Sequence, residues 1–260
     1  MTRRFSYLLI VLVLFLSGCA NNATYFRRLS SDAKWQAAEA HFQRGRFNRA
    51  IPYYQQLVFE RSSVHVAEAQ FKLGECYFLR RGRDNLVDAI FEYQEFLRLF
   101  PDHRLSADAQ FRIGEAYVRL SLGAEFTQDE SNRAIESFTR FIEKYPMDSR
   151  ISEARGHITD MQIKMLEKIY LTGYIYYKMK DFPAAQLYLN EIISLGNRNE
   201  LEKMAVFYTA LIHIERQEEA EALVAIEHLR RHFPDSRELR RAERRFGRMN
   251  SWFFRIVYSL

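Results

Sequence analysis

The residues with the widest chemical repertoire in this 260-residue chain are 2 cysteines and 7 histidines. They could serve as nucleophiles, acid–base groups or metal ligands. The histidines, at 41, 65, 103, 157, 213, 228 and 232, form no His-Glu-x-x-His pattern and no Cys/His ligand pair. His228 and His232 are four apart, but Arg230, Arg231 and Phe233 surround them and no carboxylate stands in register. That pattern reads as a solvated helix face. No Gly-x-Ser-x-Gly elbow and no phosphate-binding glycine loop occurs. No enzyme activity, metal or diffusible cofactor is therefore expected. Cys76, between Glu75 and Tyr77 in a helical pattern, reads as a buried structural thiol. Cys19 is different, because Leu16-Ser17-Gly18 precedes it and the small residues suit a peptidase that must grip an extended backbone.

The segment before Cys19 supplies its context. Arg3 and Arg4 precede an apolar run from Phe5 to Leu16. A membrane-spanning helix needs about 20 residues, so the run reads as the apolar core of a secretory signal. Leu16-Ser17-Gly18-Cys19 resembles a bacterial lipobox. The resemblance implies a signal peptide over residues 1–18, a diacylglycerol and an N-acyl chain on Cys19, and a lipidated tether over residues 19–30. Ala20, where retained lipoproteins carry Asp, implies sorting to the outer membrane, with the chain on the periplasmic side. Two or more acyl chains anchor a protein stably.

Composition fits a folded body behind that anchor. Hydrophobic residues make up 48% and aromatics 15%, which argues against disorder. A net charge of +5 is too small to point to nucleic acid.

The body repeats. Ala89-Tyr93-Phe96-Pro101, Ala134-Phe138-Phe141-Pro146 and Ala222-Ile226-Leu229-Pro234 share one spacing, and Ala50-Tyr54-Leu57 and Ala185-Leu189-Ile192 share it without the proline. A small residue stands upstream of each frame: Ala38, Gly74, Gly114, Gly173 and Ala210. Each unit is thus a helix, a turn and a second helix, with small residues permitting close approach and prolines ending the second helix. The pattern resembles the tetratricopeptide repeat (TPR). It predicts an all-α, right-handed α-solenoid of about five helix-turn-helix repeats. Residues 31–147 would hold units 1–3. Residues 148–237 would hold an extended helix, from about Ile151 to Lys180, and units 4–5. Residues 238–260 form a basic and aromatic extension.

A lipobox followed by such repeats, with an overlong helix entering the fourth, resembles the BamD family of the β-barrel assembly machinery. Phe96-Leu97-Arg98-Leu99-Phe100-Pro101, Tyr145-Pro146-Met147-Asp148-Ser149-Arg150 and Tyr176-Tyr177 with Phe182 carry the resemblance. It implies an outer-membrane adaptor that binds BamA and unfolded outer-membrane β-barrel proteins, with other Bam lipoproteins as further partners. Other envelope TPR lipoproteins, of pilus or secretin assembly and of peptidoglycan or cell-division coordination, share many of these features and stand as the alternative. On the long helix, Arg155, His157, Gln162, Lys164, Glu167 and Lys168 are the expected exposed positions, placed where that family meets BamA.

Two surfaces carry further expectations. The first helices of a TPR solenoid line its concave face. Trp35, Glu39, Phe42, Phe71, Glu75, Phe78, Phe111 and Glu115 recur at matching places and predict an acidic–aromatic substrate groove. The same aromatics could instead pack between adjacent repeats. An unpaired buried carboxylate is costly, which favours the groove for the glutamates. The arginine-rich run 231–248 and the following Trp252-Phe253-Phe254 read either as a cap on the last repeat or as a partner or anionic-lipid contact.

Overall fold

In a computed structural model, residues 28–257 are described for the backbone and residues 28–249 for the side chains. The lipobox and Cys19 lie outside these residues. Among the described residues the chain is all-α, with eleven helices and no strand. They are α1 (Ser31–Gln43), α2 (Phe47–Phe59), α3 (Val66–Leu79), α4 (Arg83–Leu99), α5 (Ser106–Leu120), α6 (Asp129–Lys144), α7 (Ile151–Lys178), α8 (Phe182–Ser194), α9 (Glu200–Glu215), α10 (Glu219–His232) and α11 (Arg237–Val257).

Local chemistry sets the boundaries. Ser30, Asp181 and Asn199 cap α1, α8 and α9, each side chain accepting from a backbone N–H three residues on. Pro101, Pro146 and Pro234 each stand two residues past the end of α4, α6 and α10. Gly45, at φ +66°, makes the tight turn from α1 to α2.

The chain forms two compact units. One holds residues 28–121 and 132–158, the other 122–131 and 159–257. Helix α7 is 28 residues long, about 42 Å at 1.5 Å per residue. It contributes its first turns to the first unit and the remainder to the second.

In the first unit, consecutive helices pack in order from α1 to α5. Gly74 and Gly114 are why the pairs close: a Cβ on either would lie 2.7 Å from the ring of Tyr93 or Phe138 on the second helix. Around those contacts Tyr93, Phe96, Phe138 and Phe141 are completely buried. Gln70 and Gln110, four residues before each glycine, donate to the backbone carbonyls of Glu92 and Ser137 at 3.1 and 3.0 Å. In the second unit Gly173 plays the same part against Leu189 on α8, at 3.1 Å. Helices α9, α10 and α11 close the second core around Phe207, Ile226 and Leu229. No helix among the described residues is long and apolar enough to cross a membrane.

Candidate functional site

The predicted groove residues separate on folding. Phe71 (8% exposed), Phe78 (6%) and Phe111 (4%) are core residues, packed against Tyr93, Phe96, Phe138 and Phe141. Trp35 and Phe42 are half-buried against the first core, with the indole stacked on His65. The expectation of a face lined by open aromatics is therefore corrected. Each repeat's small residue brings its second helix so close that the neighbouring large residues fill that seam.

The glutamates are bound as well. Glu39 accepts from the Tyr54 hydroxyl at 2.5 Å, and Glu75 accepts from Tyr93. The two tyrosines occupy the same place in their repeats, four residues after Ala50 and Ala89. Burial first, and the neighbouring carboxylate second, hold the Tyr54 hydroxyl far above the ordinary tyrosine range. The third repeat has Phe138 there, with no hydroxyl to offer. Its Glu115 instead accepts from Arg112 at 2.9 Å.

Arg112 also joins successive repeats. Its Nε lies 3.0 Å from Glu75, and its guanidinium sits 4.8 Å over the Phe78 ring. Lys72 stands at the corresponding place one repeat earlier, 4.2 Å over Phe42. Burial opposes the charge on Arg112, but Glu75 and then Glu115 outweigh it and raise its pKa. These two cations, each two places before Gly74 or Gly114, tie one repeat to the next, and that fixed offset is the signal in the sequence that marks them.

The second unit repeats that register with different chemistry. Tyr208 takes the place of the cation and lies 5.0 Å from Tyr174 and 4.9 Å from Tyr177. Tyr177 donates to Glu215 at 3.1 Å, and Lys180 donates to the same carboxylate at 2.6 Å. Burial, then Glu215, pushes the Tyr177 hydroxyl up to about 12.

Open apolar surface lies elsewhere in the first unit. Val58 and Phe59 of α2, Val66 of α3, and Phe91 and Leu99 of α4 line a cleft of about 620 Å³. Phe59 is 80% exposed, Phe91 59% and Leu99 45%. Arg61, Glu92, Glu95 and Arg98 supply its polar rim. A cluster of large apolar side chains held in water and rimmed by charge is the usual signature of a protein-docking surface. Helical periodicity marks Phe59 and Phe91 as off the core face, and that is the signal that could have found them.

The six long-helix positions divide too. Arg155, Gln162 and Glu167 are exposed, while His157, Lys164 and Lys168 are half-buried. The His157 ring stacks 4.9 Å from Phe138, and Lys168 donates to the Phe126 carbonyl at 2.8 Å. Those contacts correct the expectation of full exposure. Cys76 is completely buried, and burial pushes its thiol up to about 12, which makes it a poor nucleophile. Among the described residues no group of three His, Cys, Asp or Glu could hold a metal ion.

Comparison with known proteins agrees with this anatomy. Residues 36–103 and residues 108–146 each match a tetratricopeptide repeat family model. The fold is thus an all-α solenoid of the TPR type, and no catalytic family is indicated. No curated protein matches the chain. Similar solved structures include a tetratricopeptide repeat protein from Parabacteroides merdae ATCC 43184, at 13% identity over 85% of this chain and 73% of that one, with a TM-score of 0.35. The TPR2AB domain of yeast Sti1, in a complex with pHSP90, aligns at 14% identity over 86% of this chain and 84% of that one, with a TM-score of 0.45. MamA aligns at 19% identity over 81% of this chain and 96% of that one, with a TM-score of 0.30. Repeats of this kind form scaffolds suited to protein–protein interaction.

Proposed function

We propose that this TPR scaffold is an adaptor of the cell envelope. It is anchored by lipid on Cys19 at the periplasmic side of the outer membrane and acts in β-barrel assembly as BamD-type proteins do. BamA and unfolded outer-membrane β-barrel proteins are its partners. The observation that carries the protein-binding part is the open apolar cleft of Phe59, Phe91 and Leu99. Unfolded barrel proteins are rich in apolar and aromatic side chains, and such a cleft gives them contact area with little reorganisation. The lipobox supports the anchor, and the lipobox together with the repeats and the long helix supports the BamD-type assignment. The exposed Arg155, Gln162 and Glu167 remain the surface proposed for BamA.

Labelling cells with a clickable fatty acid tests the anchor: wild type takes up label and Cys19→Ser does not. Equal labelling of both would remove it. Purification of the tagged chain from solubilised envelopes tests the partner. BamA should accompany it, whereas secretin or peptidoglycan-synthesis proteins in its place would assign the scaffold to another envelope complex.

A further inference from the structure

The final helix carries its charge on the face opposite its packing. Arg237, Arg240, Arg241, Arg244, Arg245 and Arg248 recur at intervals of three and four, so they share one face of α11, and all six are exposed. Leu239, Ala242, Phe246 and Met249 form the opposite face and pack into the second core. The two carboxylates of α11 do not neutralise the stripe. Glu238 lies 3.6 Å from Lys203 on α9, and Glu243 lies 2.9 Å from Arg230 on α10. Several of the arginines also meet their own unit: Arg240 donates to the Asp235 carbonyl, Arg241 lies 5.2 Å over Phe207, and Arg245 faces the Glu215 carboxylate and the Tyr177 hydroxyl. Across the helix seven arginines stand against two glutamates, an excess equal to the net charge of the whole chain, +5. The helix then continues through Trp252-Phe253-Phe254-Arg255-Ile256-Val257.

We propose that α11 is a membrane-surface element that docks its arginine face on an anionic bilayer. A polyanionic surface matches a row of six guanidiniums, which bind phosphate oxygens through planar forked donors. The aromatic turns that follow favour a bilayer over an acidic protein or a nucleic acid, because tryptophan and phenylalanine settle at the lipid interface. The contact is independent of the lipid on Cys19 and of BamA, so either can fail without the other.

The chain contains 2 tryptophans, Trp35 and Trp252, which supplies the reporter. In full-length protein carrying Cys19→Ser and Trp35→Phe, Trp252 emission should shift to the blue on adding phosphatidylcholine vesicles with 30 mol% phosphatidylglycerol. It should not shift with phosphatidylcholine alone, and 0.5 M salt should reverse it. Arg237→Gln with Arg244→Gln and Arg245→Gln, still helical by circular dichroism, should weaken partitioning about 100-fold. No shift with anionic vesicles, equal shifts with both vesicle types, or unchanged binding by the triple variant would each overturn the proposal.

Discussion

Arg112 on α5 reaches across a repeat boundary to Glu75 on α3, Nε to carboxylate at 3.0 Å. The side chains are 35% and 12% exposed, so solvent weakens the pair without dissolving it. The Glu75 carboxylate also accepts from Tyr93, which makes it the point where three helices meet. Removing it strands a buried hydroxyl and a half-buried guanidinium.

The first prediction follows. Glu75→Gln should lower stability by about 1–3 kcal/mol in urea titrations. The corresponding change at Glu39 should cost less, because no arginine joins its contact with Tyr54. A double-mutant cycle with Arg112→Gln should give a coupling near 1 kcal/mol. Additive effects would mean that the pair holds nothing together.

The glycines give a paired test. Gly74→Ala places a methyl 2.7 Å from the Tyr93 ring, and this overpacking should cost about 1–3 kcal/mol. Gly156, inside α7, has nothing within 4 Å of the same methyl. There Gly156→Ala should stabilise by up to about 1 kcal/mol, since alanine is the better helix former. Thermal denaturation of both variants reads the two signs in one experiment.

The network at the start of α7 should show in the pH dependence. Arg150 donates to both oxygens of Asp148, at 2.9 and 2.8 Å, and to Asp108 at 2.7 Å. Hydrogen bonding from Arg150 outweighs burial and holds the Asp148 carboxyl below its ordinary value. A depressed carboxyl contributes stability above its unfolded pKa, about 3.9, and loses it as pH falls through the folded value. Arg150→Gln should therefore cost most at neutral pH, and its deficit against wild type should shrink steadily below about pH 4. A deficit that stays constant to pH 2 would assign the effect to packing of Arg150 on Phe111, over which it sits at 4.8 Å.

Much of this fold could be read from spacing. Gly74 and Gly114, each with a framing alanine downstream, announce helix pairs because only a small residue lets Tyr93 or Phe138 approach so closely. The candidate site was less legible. Periodicity assigns Phe71 and Phe111 to a face of a helix, but how closely the second helix of the same repeat approaches decides whether that face is covered. The place of Lys72 and Arg112 over Phe42 and Phe78 depends on how the repeats stack, which the spacing within one repeat does not carry. Phe59 and Phe91 fall outside the apolar stripes of α2 and α4, and residues so placed are the ones left in water.

The cleft gives the most direct test of the adaptor account. Phe59→Asp with Phe91→Asp alters side chains that are largely in solvent, so the melting temperature should stay within a few degrees of wild type. Phe78→Ala, a core change, should instead cost about 3–5 kcal/mol. The decisive measurement is quantitative mass spectrometry of proteins recovered with the tagged chain, wild type against the double aspartate variant. The account predicts BamA with wild type, and barrel-protein clients at least tenfold depleted with the variant. Absence of BamA, or equal recovery of clients by two equally folded proteins, would contradict it.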